Sequence, residues 1–274
     1  MLLEAAHPGI EVELVPMSTE GDRRTDVPLS VIGGKGVFAK EVQAAVLSGE
    51  ADLAVHSAKD LPALTPAGLV VAAVPERGDA RDALVGATLD QLGEGDVVAT
   101  GSARRRVQLA ELVPGIRFAE LRGNMATRLS KLGDFTAIVV AAAALQRLGR
   151  SAELTELIEA DRLVPQVGQG TLAVECREDD PTTRALLAAV DDPPTRRLLD
   201  CERAFLVELG GDCDLPAGAH ARTDGDGALV LTGVLADRST DGPPVALGRV
   251  ELTGHDPAVL GSRVAAELAA DVGR

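Results

Sequence analysis

The 274-residue chain reads as an α/β protein of two blocks followed by a smaller α+β domain. Three observations predict this. Short apolar runs alternate with amphipathic stretches, the pattern of strands separated by helices. Two Pro/Gly-bearing stretches, Pro75-Glu76-Arg77-Gly78-Asp79 and Leu163 to Gly170, lead out of the first block and back towards it, as interdomain hinges do. Beyond about residue 193, one long helix, three strand-like pieces and a last helix form a unit of their own.

In chain order, residues 1–9 read as the tail of a helix stopped at His7-Pro8-Gly9. Ile10-Glu11-Val12-Glu13-Leu14-Val15 alternates apolar and polar residues and predicts a strand. The loop Gly33-Gly34-Lys35-Gly36 precedes a helix with Phe38, Val42, Ala45 and Val46 on one face, ended by Gly49. That loop is not a nucleotide cradle, because a Walker A lysine is followed by Ser or Thr, whereas Gly36 and Val37 follow Lys35. Leu53 to Val55 predicts a buried strand that breaks into His56, Ser57, Lys59 and Asp60. Ligands of α/β sheets sit beyond the carboxyl ends of strands, so Asp60 is placed to meet one; the plainer reading makes Ser57 or Asp60 an N-cap. Leu69 to Val74 is a further strand.

The second block has strands at about 82–86, 96–100, 116–121 and 135–140. Two of them run into polar loops that open helices, at Thr100-Gly101-Ser102-Ala103-Arg104-Arg105-Arg106 and at Leu121-Arg122-Gly123-Asn124. Free backbone N–H groups and guanidinium groups at a helix N-terminus suit an anion, and Arg recognises carboxylates bidentately. Arg in a first turn opposes the helix dipole, so structure alone does not select it there. Arg104, Arg105 and Arg122 are therefore candidate binding residues, whereas Arg106 reads as solvated. Thr171 to Cys176 is a strand returning to the first block, followed by a helix over about 181–190. The last unit has a helix over about 193–209, strands at about 217–223, 228–236 and 245–253, and a helix carrying Val259, Leu260, Val264 and Leu268.

Composition narrows the ligand. The formal charge of −15 and the absence of Trp and Tyr argue against nucleic acid, which needs a basic face and often stacking platforms. Mean hydropathy of +0.12 with 46% hydrophobic residues indicates a globular chain. Arginine is nevertheless gathered between Arg104 and Arg150, which points to an anionic small molecule. Cys176, Cys201 and Cys213 form neither a disulfide framework nor a metal-ligand spacing. No secretory leader and no run of membrane length is visible, so the expectation is a soluble cytoplasmic protein without membrane partners.

The ordered stretches resemble the hydroxymethylbilane synthase family, also called porphobilinogen deaminases. The likeness is carried by Gly33-Gly34-Lys35-Gly36-Val37-Phe38, His56-Ser57-Ala58-Lys59-Asp60, Thr100-Gly101-Ser102-Ala103-Arg104-Arg105 and Leu121-Arg122-Gly123-Asn124 with Thr127-Arg128-Leu129. It continues through Gln146-Arg147-Leu148-Gly149, Val167-Gly168-Gln169-Gly170, Glu202-Arg203-Ala204-Phe205 and Gly211-Asp212-Cys213-Asp214-Leu215-Pro216-Ala217-Gly218. The resemblance implies two domains like those of periplasmic binding proteins with a cleft between them, plus a third, small domain. Its limits are 1–75 with 171–190, then 80–165, then 193–274.

It further implies a transferase that joins four porphobilinogen molecules with loss of ammonia and then releases linear hydroxymethylbilane by hydrolysis, in porphyrin and haem biosynthesis. Growth takes place on a dipyrromethane cofactor joined by a thioether, here to Cys213. Asp60 is the implied catalytic carboxylate. Ser57, Lys59, Thr100, Ser102, Arg104, Arg105 and Gly123 are implied to hold the cofactor, and Lys35, Phe38, Arg122, Arg128 and Arg147 the substrate. A monomer with no metal is implied; Cys176 and Cys201 read as small buried hydrophobes.

Two departures from the family pattern carry expectations. The family's opening strand with Arg-x-Ser-x-Leu-Ala and most of its first helix have no counterpart, which predicts a misplaced start codon or, as the alternative, a truncated inactive paralogue. Asp212 and Asp214 flank Cys213 and raise the expected thiol pKa, slowing attachment. A small-anion binding protein of the same fold is the rival outside enzymes.

Overall fold

The structure, a computed structural model, describes residues 2–17, 39–210, 215–237 and 247–272. Helix α1 (Leu2–Ala6) is followed by the stop read from the sequence, and His7 Nε2 lies 2.9 Å from the Leu186 carbonyl oxygen. Residues 10–17 form no strand. The alternation of Ile10 to Val15 is therefore not realised as predicted: Leu14 and Val15 are exposed, and no described strand pairs with them. Period-2 patterning makes a strand only when a neighbour accepts its backbone hydrogen bonds.

Helix α2 (Lys40–Ser48) ends at Gly49 as expected. Strand β1 (Leu53–Ser57) leads into a single 3₁₀ turn, Ala58–Asp60, and β2 (Leu69–Ala73) follows. β1 and β2 pair antiparallel on either side of β8 (Leu172–Arg177), giving the order β1-β8-β2. The chain thus returns to its first sheet. One expectation fails here: β1 is buried on one face only, and Val55 is 57% exposed. The inward positions Ala54 and His56 alternate with it, as on a strand with one covered face.

The second sheet contains β3 (Asp82–Val85), β4 (Val97–Ala99), β5 (Arg117–Ala119), β6 (Ala137–Ala141) and β7 (Glu156–Ile158), in the order β5-β4-β6-β3-β7. β4 runs parallel to β5 and β6, whereas β3 is antiparallel to β6 and β7. Helices α3 (Ala103–Leu112), α4 (Met125–Ser130) and α5 (Ala142–Arg147) each begin just after β4, β5 or β6, so three helix N-termini gather at one end of this sheet. Strand β7, only three residues long, was not expected from the sequence. Leu84, Leu109, Val139, Ile158 and Leu163 fill one core, and Val85, Ile138, Val140 and Leu145 another.

After β8 come α6 (Pro181–Leu187) and α7 (Pro193–Glu208), both with Pro in the first turn and an Asp N-cap. The last unit is the antiparallel sheet β11-β10-β9, built from β9 (Ala217–Thr223), β10 (Leu229–Ala236) and β11 (Leu247–Gly254). Its core joins Phe205 of α7 to Leu229, Leu231 and Leu235 and to Leu260, Val264 and Leu268 of α8 (Pro257–Asp271).

Two irregular segments, 74–81 and 164–171, connect the first two sheets. They touch where the Gly78 N–H donates to the Gly170 carbonyl at 3.0 Å. Gly170 has φ +83°, and a Cβ there would come within 2.7 Å of the Gly78 carbonyl oxygen. Only glycine meets both demands at once.

Candidate active site

The site is organised on Asp82, the first residue of β3 and fully buried. A carboxylate out of reach of water must be neutralised by partners. Asp82 Oδ2 accepts from Arg104 Nη1 at 2.7 Å, and Oδ1 accepts from Arg105 Nε at 3.0 Å, Arg105 Nη2 at 2.7 Å and Gln169 Nε2 at 2.9 Å. Burial by itself would raise its pKa; Arg104 and Arg105 outweigh that and hold the carboxyl far below the usual range.

The two arginines use their donors differently. Each nitrogen of Arg105 has a protein acceptor, the third being the Val139 carbonyl at 3.1 Å from Nη1. Arg104 commits only Nη1, to Asp82 and to the Val164 carbonyl at 2.6 Å. Its Nε and Nη2 are buried without a hydrogen-bond partner among the described residues. Burial lowers its pKa, with Asp82 opposing. A guanidinium with a free Nε–Nη2 edge is suited to bidentate carboxylate binding.

Facing this pair is the turn after β1. Gln166 Nε2 donates to the Lys59 carbonyl at 3.2 Å, and Gly168 packs so close that a Cβ would lie 3.0 Å from the Lys59 nitrogen. The turn is thereby seated on the returning segment. Burial takes the Lys59 ammonium down to about 8; Asp60 opposes the fall, Arg105 adds to it, Asp82 opposes and Arg128 adds. Arg128 is also lowered by burial, then by Arg105 and Arg122, with Asp60 opposing. Lys59, Asp60, Arg105, Arg122 and Arg128 therefore share one electrostatic neighbourhood, although they come from three separate stretches of chain. Asp60 is exposed.

Other residues expected at the site also have assigned places. Ser102 caps α3, accepting from the Arg105 N–H at 3.4 Å, and the Thr100 hydroxyl accepts from the Ser102 N–H at 3.2 Å. Ser57 flanks the turn and makes no side-chain capping bond to it. The Gly123 carbonyl accepts from Arg128 Nε at 2.7 Å. Arg147 is exposed but ties its Nη2 to the Gly170 carbonyl at 2.6 Å. Arg106, expected to be solvated, is partly exposed and pairs with Glu120. Lys35, Phe38 and the whole Gly33–Gly36 loop lie outside the described residues, as do Cys213 and its neighbours Asp212 and Asp214. Cys176 and Cys201 are buried free thiols, and burial pushes Cys201 up to about 12.

A pocket lies between the Lys59 turn, the returning segment and the third domain, lined by Lys59, Gln166, Arg203, Leu206, Leu215 and Ala217. Leu215 is two residues beyond Cys213. The free edge of Arg104 and the cationic neighbourhood of Lys59 fit a cofactor bearing carboxylates, the kind that the sequence resemblance implies.

Sequence reading gave no role to Asp82, nor to Gln169 and a second buried carboxylate, Glu202 of α7, although the latter two lie in stretches that carry the resemblance. Glu202 accepts from Arg77 Nη1 at 2.7 Å and Nη2 at 3.3 Å, from the Gly168 N–H at 2.7 Å and from the Ala221 N–H at 2.9 Å. Arg77 in turn donates Nε and Nη2 to the Gln169 carbonyl. The one usable signal for Asp82 was a charged residue opening the apolar run Ala83-Leu84-Val85.

Fold and site together define an α/β protein of the periplasmic-binding-protein type with a small C-terminal domain. Residues 1–185 match the family described as "Porphobilinogen deaminase, dipyromethane cofactor binding domain", and residues 197–270 match "Porphobilinogen deaminase, C-terminal domain". A porphobilinogen deaminase of Roseiflexus sp. (strain RS-1) is 47% identical over 277 residues, covering 99% of this chain and 90% of that protein. One of Acidithiobacillus ferrooxidans is 46% identical over 269 residues (96% and 86%), and one of Brevibacillus brevis 44% over 273 residues (98% and 87%). The chain belongs to the porphobilinogen deaminase family.

Proposed function

We propose that the chain is a hydroxymethylbilane synthase, a transferase that condenses four porphobilinogen molecules with loss of ammonia and releases the linear tetrapyrrole by hydrolysis. The observation that carries this reading is the exposed carboxylate of Asp60 set among Lys59, Arg105, Arg122 and Arg128. The cations hold the acetate and propionate groups of pyrroles, and Asp60 is left to face positive charge. Loss of ammonia from porphobilinogen makes its methylene carbon cationic, and a carboxylate beside it stabilises that charge. Lys59, Arg104 and Arg105, with Ser57, Thr100, Ser102 and Gly123, belong to the wall that holds the cofactor, and Arg122, Arg128 and Arg147 to the wall that holds substrate. Dipyrromethane, when bound through Cys213, supplies the pyrrole carbon on which the product grows.

The three units take the limits 1–75 with 171–190, 80–165 and 193–274, with the cleft between the first two. The reading includes a monomer working in the cytoplasm on a small molecule, without nucleic acid. In support, no described helix is long and apolar enough to cross a membrane.

Intact-protein mass spectrometry of the chain as made in cells tests the reading. The expected mass exceeds that of the sequence by one dipyrromethane, and Cys213→Ala abolishes the excess. An unmodified Cys213 would leave only an anion-binding protein or an inactive paralogue. Asp60→Ala is expected to stop turnover while keeping the cofactor; near-normal turnover removes its role.

A further inference from the structure

Asp82 contacts no exposed part of the cleft, yet it decides how both arginines present themselves. It holds Arg105 through two nitrogens and Arg104 through one. Its Oδ1 is shared with Gln169, whose Nε2 also donates to the Ala80 carbonyl at 2.8 Å. Asp82 thus joins β3, α3 and the returning segment at one point. A second tie runs the same way: Gln108 of α3 donates to the Val164 carbonyl at 3.1 Å and accepts from the Val164 N–H at 2.8 Å.

We propose that Asp82 is a positioning residue: it fixes the plane of Arg105, leaves the Nε–Nη2 edge of Arg104 for a cofactor carboxylate, and through Gln169 makes that arrangement follow the crossing segments. This rests on the reading that Arg104 receives a carboxylate. Three facts carry it. All three Arg105 nitrogens have an acceptor, whereas two Arg104 nitrogens, though buried, have none among the described residues. Asp82 is the acceptor common to both. Asp82 is also among the charges acting on Lys59, together with Asp60, Arg105 and Arg128, and Arg203 lines the same pocket.

The test compares full-length Asp82→Asn, Gln169→Leu and Arg104→Gln proteins with the parent. Three quantities are read: the fraction of chain that carries the cofactor mass, the kcat of that fraction, and the titration midpoint of Lys59, followed by NMR of ¹³C-methylated lysines and assigned with Lys59→Arg. Asp82→Asn keeps the shape and removes the charge. It is expected to lower the ratio of cofactor-bearing to cofactor-free chain about tenfold, the scale of one charge-assisted hydrogen bond, with the kcat of the loaded fraction changed by less than about threefold. It is also expected to move the Lys59 midpoint below about 8, because a negative charge that favours the ammonium is gone.

Gln169→Leu leaves both ion pairs and is expected to lower the ratio of cofactor-bearing to cofactor-free chain about threefold with the Lys59 midpoint unmoved. A packing role alone would lower stability without moving the Lys59 midpoint. An unshifted midpoint or an unchanged ratio in Asp82→Asn overturns the proposal; should that variant not fold, an unchanged ratio in Gln169→Leu does so. If Arg104→Gln itself leaves the ratio unchanged, the reading of Arg104 as a carboxylate site falls. If Arg104→Gln lowers the ratio while Asp82→Asn does not, only the positioning role falls.

Discussion

Asp82 and Glu202 are both buried carboxylates that gather arginine, and the contrast between them separates scaffold from site. Glu202 takes four donors from three stretches of chain, and its partner Arg77 has every nitrogen placed, on Glu202 or on the Gln169 carbonyl. The buried polar atom beside that cluster without a hydrogen-bond partner among the described residues is His220 Nδ1, 3.9 Å from Glu202 Oε1. Asp82 is equally saturated, but one of its two arginines keeps two buried donors without an acceptor among the described residues. A buried donor left unpaired costs roughly 1–3 kcal/mol, and more when charged. Among the described residues, buried guanidinium donors without an acceptor occur at Arg104 alone, and they mark the site.

The sharpest way to break this contrast is at Glu202. Glu202→Ala leaves Arg77 and two backbone N–H groups without their acceptor, and removing one partner of a buried pair costs about 3–5 kcal/mol. Urea unfolding measures it, and a loss under about 1 kcal/mol would refute the assignment of Glu202 as the structural joint. Next in size is Gly170→Ala, expected to cost about 1–3 kcal/mol, since the new Cβ meets the Gly78 carbonyl at 2.7 Å in a left-handed conformation.

The third prediction concerns pH and the site side of the contrast. Lys59 has its pKa lowered to about 8 in the folded chain, against an unfolded value of roughly 10.4. Between those pH values the unfolded chain binds more protons, so stability rises with pH. Thermal melts between pH 8 and 10 should show this rise for the parent, and Lys59→Met should remove it. The smallest effect is expected at Arg222→Ala: its pair with Glu251 spans 3.4 Å with both side chains about half exposed, and such pairs contribute about 0–1 kcal/mol. A larger loss there would blur the line between buried and surface charge that the comparison depends on.

What could be read from the sequence followed the range of the interactions involved. Helices α2, α3, α7 and α8 announce themselves through apolar spacing and stop signals within a few residues. β7 does not, because Glu156-Leu157-Ile158 is too short to show a period and exists by pairing with β3. Ile10 to Val15 has the period but no described partner, so the same rule overpredicts there. Arg104 and Arg105 were legible as candidates because Arg in a first helical turn runs against the dipole. Which of them keeps free donors was not legible. That depends on Asp82, Val139 and Val164, which lie 22 to 60 residues from the arginines that reach them, and Gln169 lies 87 residues from Asp82.

The contact of Gly78 with Gly170 has a mechanical corollary. Together with the bonds from Arg77 to the Gln169 carbonyl and from Gln169 to the Ala80 carbonyl, that contact fastens two crossing segments at neighbouring points, a cramp rather than a pivot. Asp82, bonded to Gln169, is anchored to the same cramp.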